Sequence, residues 1–279
     1  MRFNQNQYHI KVLYICAIVV ATLLWLVPIA MMLSVSLMPP DVRSPSFGGI
    51  FLPRYSMYNY NLIFNEVPMF RYFLNSVAIT VPSVLMVTFF SSLAAYAFSR
   101  LRFFGRDTWF LFLLLTLMLP IPTLVIPLFQ ISKTLHMYNT HWGLILPYTA
   151  LGIPFAVIIF KSYFSSFPTD LENAAKIDGC GPWKIYRKIM LPLSTPSMSV
   201  VIIWQSMKSW NEFLLALVTI DKNSVKPLPL VPLIYSGQYM SRPGAMFAVL
   251  TVMTIPVLAL YIFMQRYFMS GMTSGALKG

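Results

Sequence analysis

The run Pro168-Thr169-Asp170-Leu171-Glu172-Asn173-Ala174-Ala175-Lys176-Ile177-Asp178-Gly179, continuing to Leu191-Pro192, is a charged interruption between two long apolar stretches. Its spacing predicts two short helices outside a membrane. Thr169 and Glu172 stand three apart as a capping box opening the first helix, and Gly179 is a C-terminal stop. A second start follows at Gly181-Pro182, with proline at the first helical position, where its missing N–H costs nothing. On that second helix Trp183, Tyr186 and Met190 fall on one face and Lys184, Arg187 and Lys188 on another. So structured a loop on a membrane protein is expected to dock something.

Working outward, 57% of the 279 residues are hydrophobic and only 10% are charged, more apolar surface than a soluble domain of this length could hide. The solvent must be lipid. The formal charge of +12 is dispersed among loops between apolar runs, a pattern that fits anionic headgroups and orientation, with no nucleic acid as partner. Cys16 in a span and Cys180 in the loop make no disulfide framework. His9, His136 and His141 show no metal-type spacing, so no metal or cofactor is expected. From Val12 to Met38 no residue is charged at neutral pH, a run too long for a cleaved leader, which reads as an uncleaved first span.

A hydrocarbon core needs about 20 apolar residues per helix. Six windows qualify, roughly 12 to 37, 72 to 98, 108 to 131, 142 to 160, 197 to 219 and 245 to 265. The expected fold is therefore all-α and integral to the membrane, with six transmembrane helices and the structured loop between spans 4 and 5. Twelve lysines and arginines lie on the side of the termini and that loop (Arg2, Lys11, Arg100, Arg102, Arg106, Lys161, Lys176, Lys184, Arg187, Lys188, Arg266, Lys278), against seven opposite (Arg43, Arg54, Arg71, Lys133, Lys222, Lys226, Arg242). The positive-inside rule puts both termini and the loop in the cytoplasm. Prolines 82, 120, 122, 127, 147, 154 and 256 predict kinks or close helix packing. The external stretch from Pro39 to Phe70, with Phe51, Tyr55, Tyr58, Tyr60 and Phe64, reads as an interfacial aromatic belt. The expected divisions are 1–70 (N-terminus, first helix, external loop), 71–266 (five-helix core) and 267–279 (cytoplasmic tail).

Span five breaks the charge-free rule. At 100° per residue Gln205, Lys208, Ser209 and Glu212 fall within about 100° of arc, with Asn211 on the flank. A charge at mid-membrane costs roughly 2.5 to 3.5 kcal/mol on insertion scales, so the stripe should face the bundle interior. Two readings stay open: Lys208 and Glu212, four apart, pair with each other and hold helices in register, or the stripe lines a solute path. The sequence lacks GxxxxGK[ST], GxSxG and HExxH and has no paired carboxylates in an apolar pocket, so no catalysis is expected of it.

The loop resembles the cytoplasmic EAA loop of type I ABC importer permeases, on Leu171 through Gly179 and the later Leu191-Pro192-Leu193 and Pro196. Asn75-Ser76, Trp210-Asn211-Glu212-Phe213 and the tail Arg266-Tyr267-Phe268 through Gly271 and Gly275 to Lys278-Gly279 resemble, within that superfamily, the carbohydrate permeases of the maltose and oligosaccharide type. The pattern departs at Asn173, where the family has its glutamate, and at Cys180, where it has alanine. The resemblance implies a bacterial or archaeal cytoplasmic-membrane permease with four kinds of partner: a second homologous permease subunit, two cytoplasmic ATPase subunits, an extracytoplasmic solute-binding protein and membrane lipid. It implies that Leu171, Glu172, Asn173, Ala174, Ala175, Asp178 and Gly179 form the ATPase-coupling loop, with Leu171, Ala174 and Ala175 as an apolar ridge. Gln205, Lys208, Asn211 and Glu212 are the candidate translocation path. Sugar or oligosaccharide is the implied solute, with an amino acid, polyamine or glycerol phosphate as alternatives. A stand-alone secondary transporter is the competing class, and it would need repeats and midplane carboxylates that this chain does not offer beyond Glu212.

Overall fold

The computed structural model describes residues 3–40, 55–237 and 242–276, with side chains described for 10–40, 55–237 and 242–265. Arg2, Arg43, Phe51, Arg54, Lys278 and Gly279 lie outside the described residues, as does the side chain of Arg266. The chain is all-helical in character. Among the described residues four helices are long and apolar enough to cross a membrane: Ile10–Ser36 (27 residues, within α1, Phe3–Ser36), Met69–Arg100 (α3, 32 residues), Trp142–Ser165 (α6, 24 residues) and Pro243–Gln265 (23 residues, within α11, Pro243–Ala276). Two bent helix pairs pass the same length and hydropathy test only when each pair is taken together. Arg106–Met118 and Ile121–Thr134 meet at 104°, and Pro182–Leu193 and Thr195–Trp210 meet at 74°.

The window at 108–131 is therefore no straight helix. Helix α4 (Arg106–Leu115) tightens into a 3-10 turn over Thr116–Met118, and Pro120 sits extended ahead of α5 (Ile121–Thr134). Proline has no N–H to continue the ladder, and a second proline at 122 opens the new helix, so hydropathy runs on while the axis turns. The fifth window also divides. After α9 (Thr195–Trp210) the segment Asn211–Phe213 is non-helical, and α10 covers Leu214–Thr219. The last helix continues beyond the expected span to Ala276, so Gly271 and Gly275 are helical where a tail was expected.

Two compact units form. The first comprises Met1–Met69 and Val231–Thr254. In it α1 meets the short helix α2 (Tyr58–Glu66): Asn59 Nδ2 donates to the carbonyls of Ser36 (3.0 Å) and Met38 (2.7 Å), and Ser36 Oγ lies 2.8 Å from Tyr60 Oη. Gly244 makes room for this, since a Cβ there would stand 2.4 Å from Asn59 Nδ2. Leu13, Tyr14, Leu24 and Trp25 on α1 are exposed, as a lipid-facing helix requires.

The second unit comprises Phe70–Leu230 and Ile255–Gly279. Its core gathers Val87, Ala95 and Tyr96 of α3, Ala156, Phe160 and Phe164 of α6, and Ala175, Ile185, Tyr186 and Met190 of the charged loop. The loop is thus packed into the helical body. A second cluster, Ile79, Leu144, Ile145, Tyr148, Leu215 and Ala216, fills the other end of α3 and α6. There Asn75 Nδ2 donates to the carbonyls of Ser224 and Lys226, both at 3.0 Å, and Ser76 Oγ accepts the Leu228 N–H at 2.9 Å.

Candidate functional site

The loop forms the two helices expected of it. The first, α7, spans Asp170–Ile177, and the second, α8, spans Pro182–Leu193 with a π turn over Tyr186–Met190. Gly179 stops α7 in the left-handed region (φ 73°), its N–H donating to Lys176 O and that of Cys180 to Ala175 O. Thr169 occupies the N-cap position, but the capping box does not form: its side chain makes no cap hydrogen bond. Glu172 turns the other way instead, toward a stronger partner. Its Oε1 lies 2.9 Å from Arg100 Nε, and the two side chains are 8% and 9% exposed. A charged donor in a low-dielectric setting outcompetes a backbone N–H that water can serve.

Arg100 is the last residue of α3, and its Nη2 also donates to Phe164 O in the last turn of α6 and to Phe167 O just beyond it (2.7 Å). Glu172 and Ala175 both face inward. The ridge of Leu171, Ala174 and Ala175 is therefore corrected: Ala175 is buried in the core. Outward lie Leu171, Asn173, Ala174, Asp178, Gly179 and Ile177, the last 86% exposed. On α8, Ile185, Tyr186 and Met190 are buried, Trp183 is exposed, and Lys184, Arg187 and Lys188 point to solvent.

The polar stripe is brought together in part. Gln205 is 1% exposed, and its Nε2 donates to Tyr148 O (3.2 Å) and Ser209 Oγ (2.9 Å), while its Oε1 has no partner. Ser209 Oγ lies 2.9 Å from Ser83 Oγ on α3. Glu212 accepts from Tyr148 Oη at 2.6 Å and from the N–H groups of Leu215 (2.8 Å) and Ala216 (3.1 Å), so its carboxylate caps α10 and breaks the span. Among the described residues no ion pair joins Lys208 to Glu212 within 4.0 Å. Lys208 Nζ lies instead 4.7 Å over the Trp204 ring, which stacks on Phe155 at 4.1 Å. Asn211 is exposed and bonds back to Met207 O.

Tyr148, Gln205, Lys208, Ser209 and Glu212 line a cavity of about 20 Å³, with room for about one water. Tyr148, Ser209 and Glu212 also border a second, of about 10 Å³, toward Ser76 and Pro227. The Tyr148–Glu212 hydrogen bond thus lies between two small cavities whose linings are mostly apolar. Sequence reasoning missed Arg100, Tyr148 and Ile177 as participants. Ile177 was readable, lying opposite Glu172 and Ala175 on the helical wheel. Arg100 showed only as a flanking charge, and nothing marked Tyr148 among apolar neighbours.

Fold and site together define a multi-span helical membrane protein that presents a structured, core-anchored loop. Residues 87–274 match the family described as binding-protein-dependent transport system inner membrane component, and the chain belongs to that family. Relatives include the arabinooligosaccharides transport system permease protein AraQ of Halalkalibacterium halodurans, 38% identical over 79% of this chain and 79% of that one. The trehalose transport system permease protein SugB of Mycobacterium tuberculosis is 33% identical over 91% and 93%. A chain of a bacterial ABC transporter involved in import of the acidic polysaccharide alginate has the same fold, with a TM-score of 0.79 at 21% identity over 92% of this chain and 96% of that one. The protein is a permease component of the inner membrane.

Proposed function

We propose that this permease serves an ATP-driven importer of a sugar or oligosaccharide, moving its solute by alternating access. The relatives of known substrate named above are carbohydrate permeases, which supports the solute class. In this reading each bent pair counts as one crossing, giving six spans, with 71–266 as the transporting core and both termini and the loop in the cytoplasm. Its partners are a second related permease, a pair of ATPase subunits and an external solute-binding protein. Hydrolysis belongs to the ATPases.

The observation that carries the reading is the two-sided character of α7. Glu172 and Ala175 anchor it inward, and Leu171, Asn173, Ala174 and Ile177 stand in solvent with nothing over them among the described residues. Leu171 and Ile177, 44% and 86% exposed on a helix so firmly held, together form an apolar surface for a partner. Small Ala174 and flat Gly179 permit close backbone approach. Gln205, Lys208 and Glu212, the candidate path residues, border a cavity of about 20 Å³, smaller than a sugar ring, and Asn211 lies exposed outside its lining.

Purification of the tagged chain from cells expressing the neighbouring transport genes is the test. An ATPase is expected to co-purify with the wild-type chain, and Ala174→Trp or Ile177→Glu should remove it while leaving the chain in the membrane. Retention of the ATPase by both variants would sink the docking surface.

A further inference from the structure

The inward side of the loop holds two buried polar contacts, and both end on the same helix. Glu172 of α7 pairs with Arg100 at 2.9 Å. Tyr186 of α8 lies 2.8 Å from Ser92 Oγ, and since the Ser92 proton is already donated to Phe89 O, Tyr186 is the donor. Ser92 and Arg100 are eight residues apart on α3, which places them about 12 Å apart along its axis and within one quadrant of its surface. One contact would leave the loop free to pivot about it. An ion pair and a hydrogen bond at that separation do not, and Ala95, Tyr96, Phe164 and Ala175 pack in the same cluster.

The covalent route from the loop is far less stiff. Between Trp183 and Gln205 the chain passes through the π turn at Tyr186–Met190 and the 74° bend near Ser194, two places where the helical ladder is widened or interrupted. Helix α3 carries Pro82, but from Ser83 to Arg100, on the loop side of that proline, it runs without such a break and reaches the stripe directly through Ser83 and Ser209.

We propose that Arg100–Glu172 and Ser92–Tyr186 form a two-point latch that makes the loop and the loop-side half of α3 one lever, which carries displacement of the loop to the Ser83–Ser209–Gln205 contact. The four are positioning residues, acting inside this chain. In this role Glu172 is no part of the surface that meets the ATPase. The proposal rests on the reading that an ATPase docks on α7.

The test uses the assembled complex, with Cys16→Ser and Cys180→Ser and spin labels at Phe104→Cys, fully exposed just past α3, and Lys176→Cys, exposed on α7. The interlabel distance is measured by double electron–electron resonance without nucleotide and after trapping with ATP and vanadate. One narrow distance, the same in both states, is expected for the latched chain. Glu172→Gln should retain the ATPase yet shift and broaden the distance on trapping, and Tyr186→Phe, which removes one hydroxyl and keeps the ring, should do so in smaller measure. A distance that changes on trapping in the latched chain would overturn the latch, as would variants that superimpose on it. Loss of the ATPase from Glu172→Gln would overturn it too, by placing Glu172 in the docking contact. Should Glu172→Gln fail to accumulate, Ser92→Ala with Tyr186→Phe reads the second point alone. If the unaltered chain recovers no ATPase, the docking reading fails; the latch is then read on the chain alone, where Glu172→Gln must broaden the distance for the latch to stand.

Discussion

Gly179 and Gly152 show how differently two glycines are required. Gly179 has φ 73° and open space around the position of a Cβ, so alanine there meets no clash and strains only the backbone. Gly179→Ala is expected to cost about 1 to 2 kcal/mol and to loosen the end of α7, seen as faster amide exchange at Ile177 and Asp178. Gly152 is an ordinary helical residue, but a Cβ would stand 2.4 Å from Gln205 Oε1 and 2.8 Å from Val87 Cγ2. Gly152→Ala must push α6 from α9, at about 1 to 3 kcal/mol by thermal unfolding in detergent. Faster exchange at Ile177 and Asp178 in Gly152→Ala, or its absence in Gly179→Ala, would contradict this division. At this scale legibility was uneven. The stop at Gly179 and the proline start at 182 were readable because each depends on local backbone geometry. The partner of Glu172 was not, because Arg100 lies 72 positions earlier and only tertiary packing brings it near.

At the scale of elements, hydropathy located the apolar windows and missed the breaks within two of them. A window average is blind to direction, so the 104° turn at Pro120 and the interruption at Asn211–Phe213 left it unchanged. The second break has a side-chain cause: Glu212 binds the first amides of α10, a cap that competes with helix continuation. Position-by-position reading put Glu212 on the stripe correctly but assigned it Lys208 as a possible partner, where Tyr148 and the α10 amides hold it.

The far end of α6 carries a pH dependence. His141 stands just before Trp142, half-buried, with Nε2 3.1 Å from Asn75 Oδ1, and burial pushes its pKa below the ordinary 6.5. The neutral ring is the form the fold accepts. Stability from this group is therefore complete above about 6.5 and is lost as the pH falls below that, while the unfolded chain takes up the proton first. The melting temperature should decline below that pH, and His141→Gln should flatten the decline. An unchanged slope in the variant would remove His141 from the account.

For the whole molecule, composition alone decided the solvent, and the loop between two apolar runs pointed to the family that residues 87–274 match. Placement of the loop against its own core was beyond reach of the sequence, because the residues that grip it are spread over α3 and α6. In the function proposed above, ATP hydrolysed by a partner docked on α7 drives a sugar through this chain. The most direct measurement of this claim is uptake into proteoliposomes holding the complete complex with ATP inside, using labelled trehalose and arabino-oligosaccharides as probes. ATP-dependent accumulation of at least one probe is the expected result, with its loss in Ala174→Trp. Accumulation that persists without ATP, or that survives in Ala174→Trp, would contradict the claim.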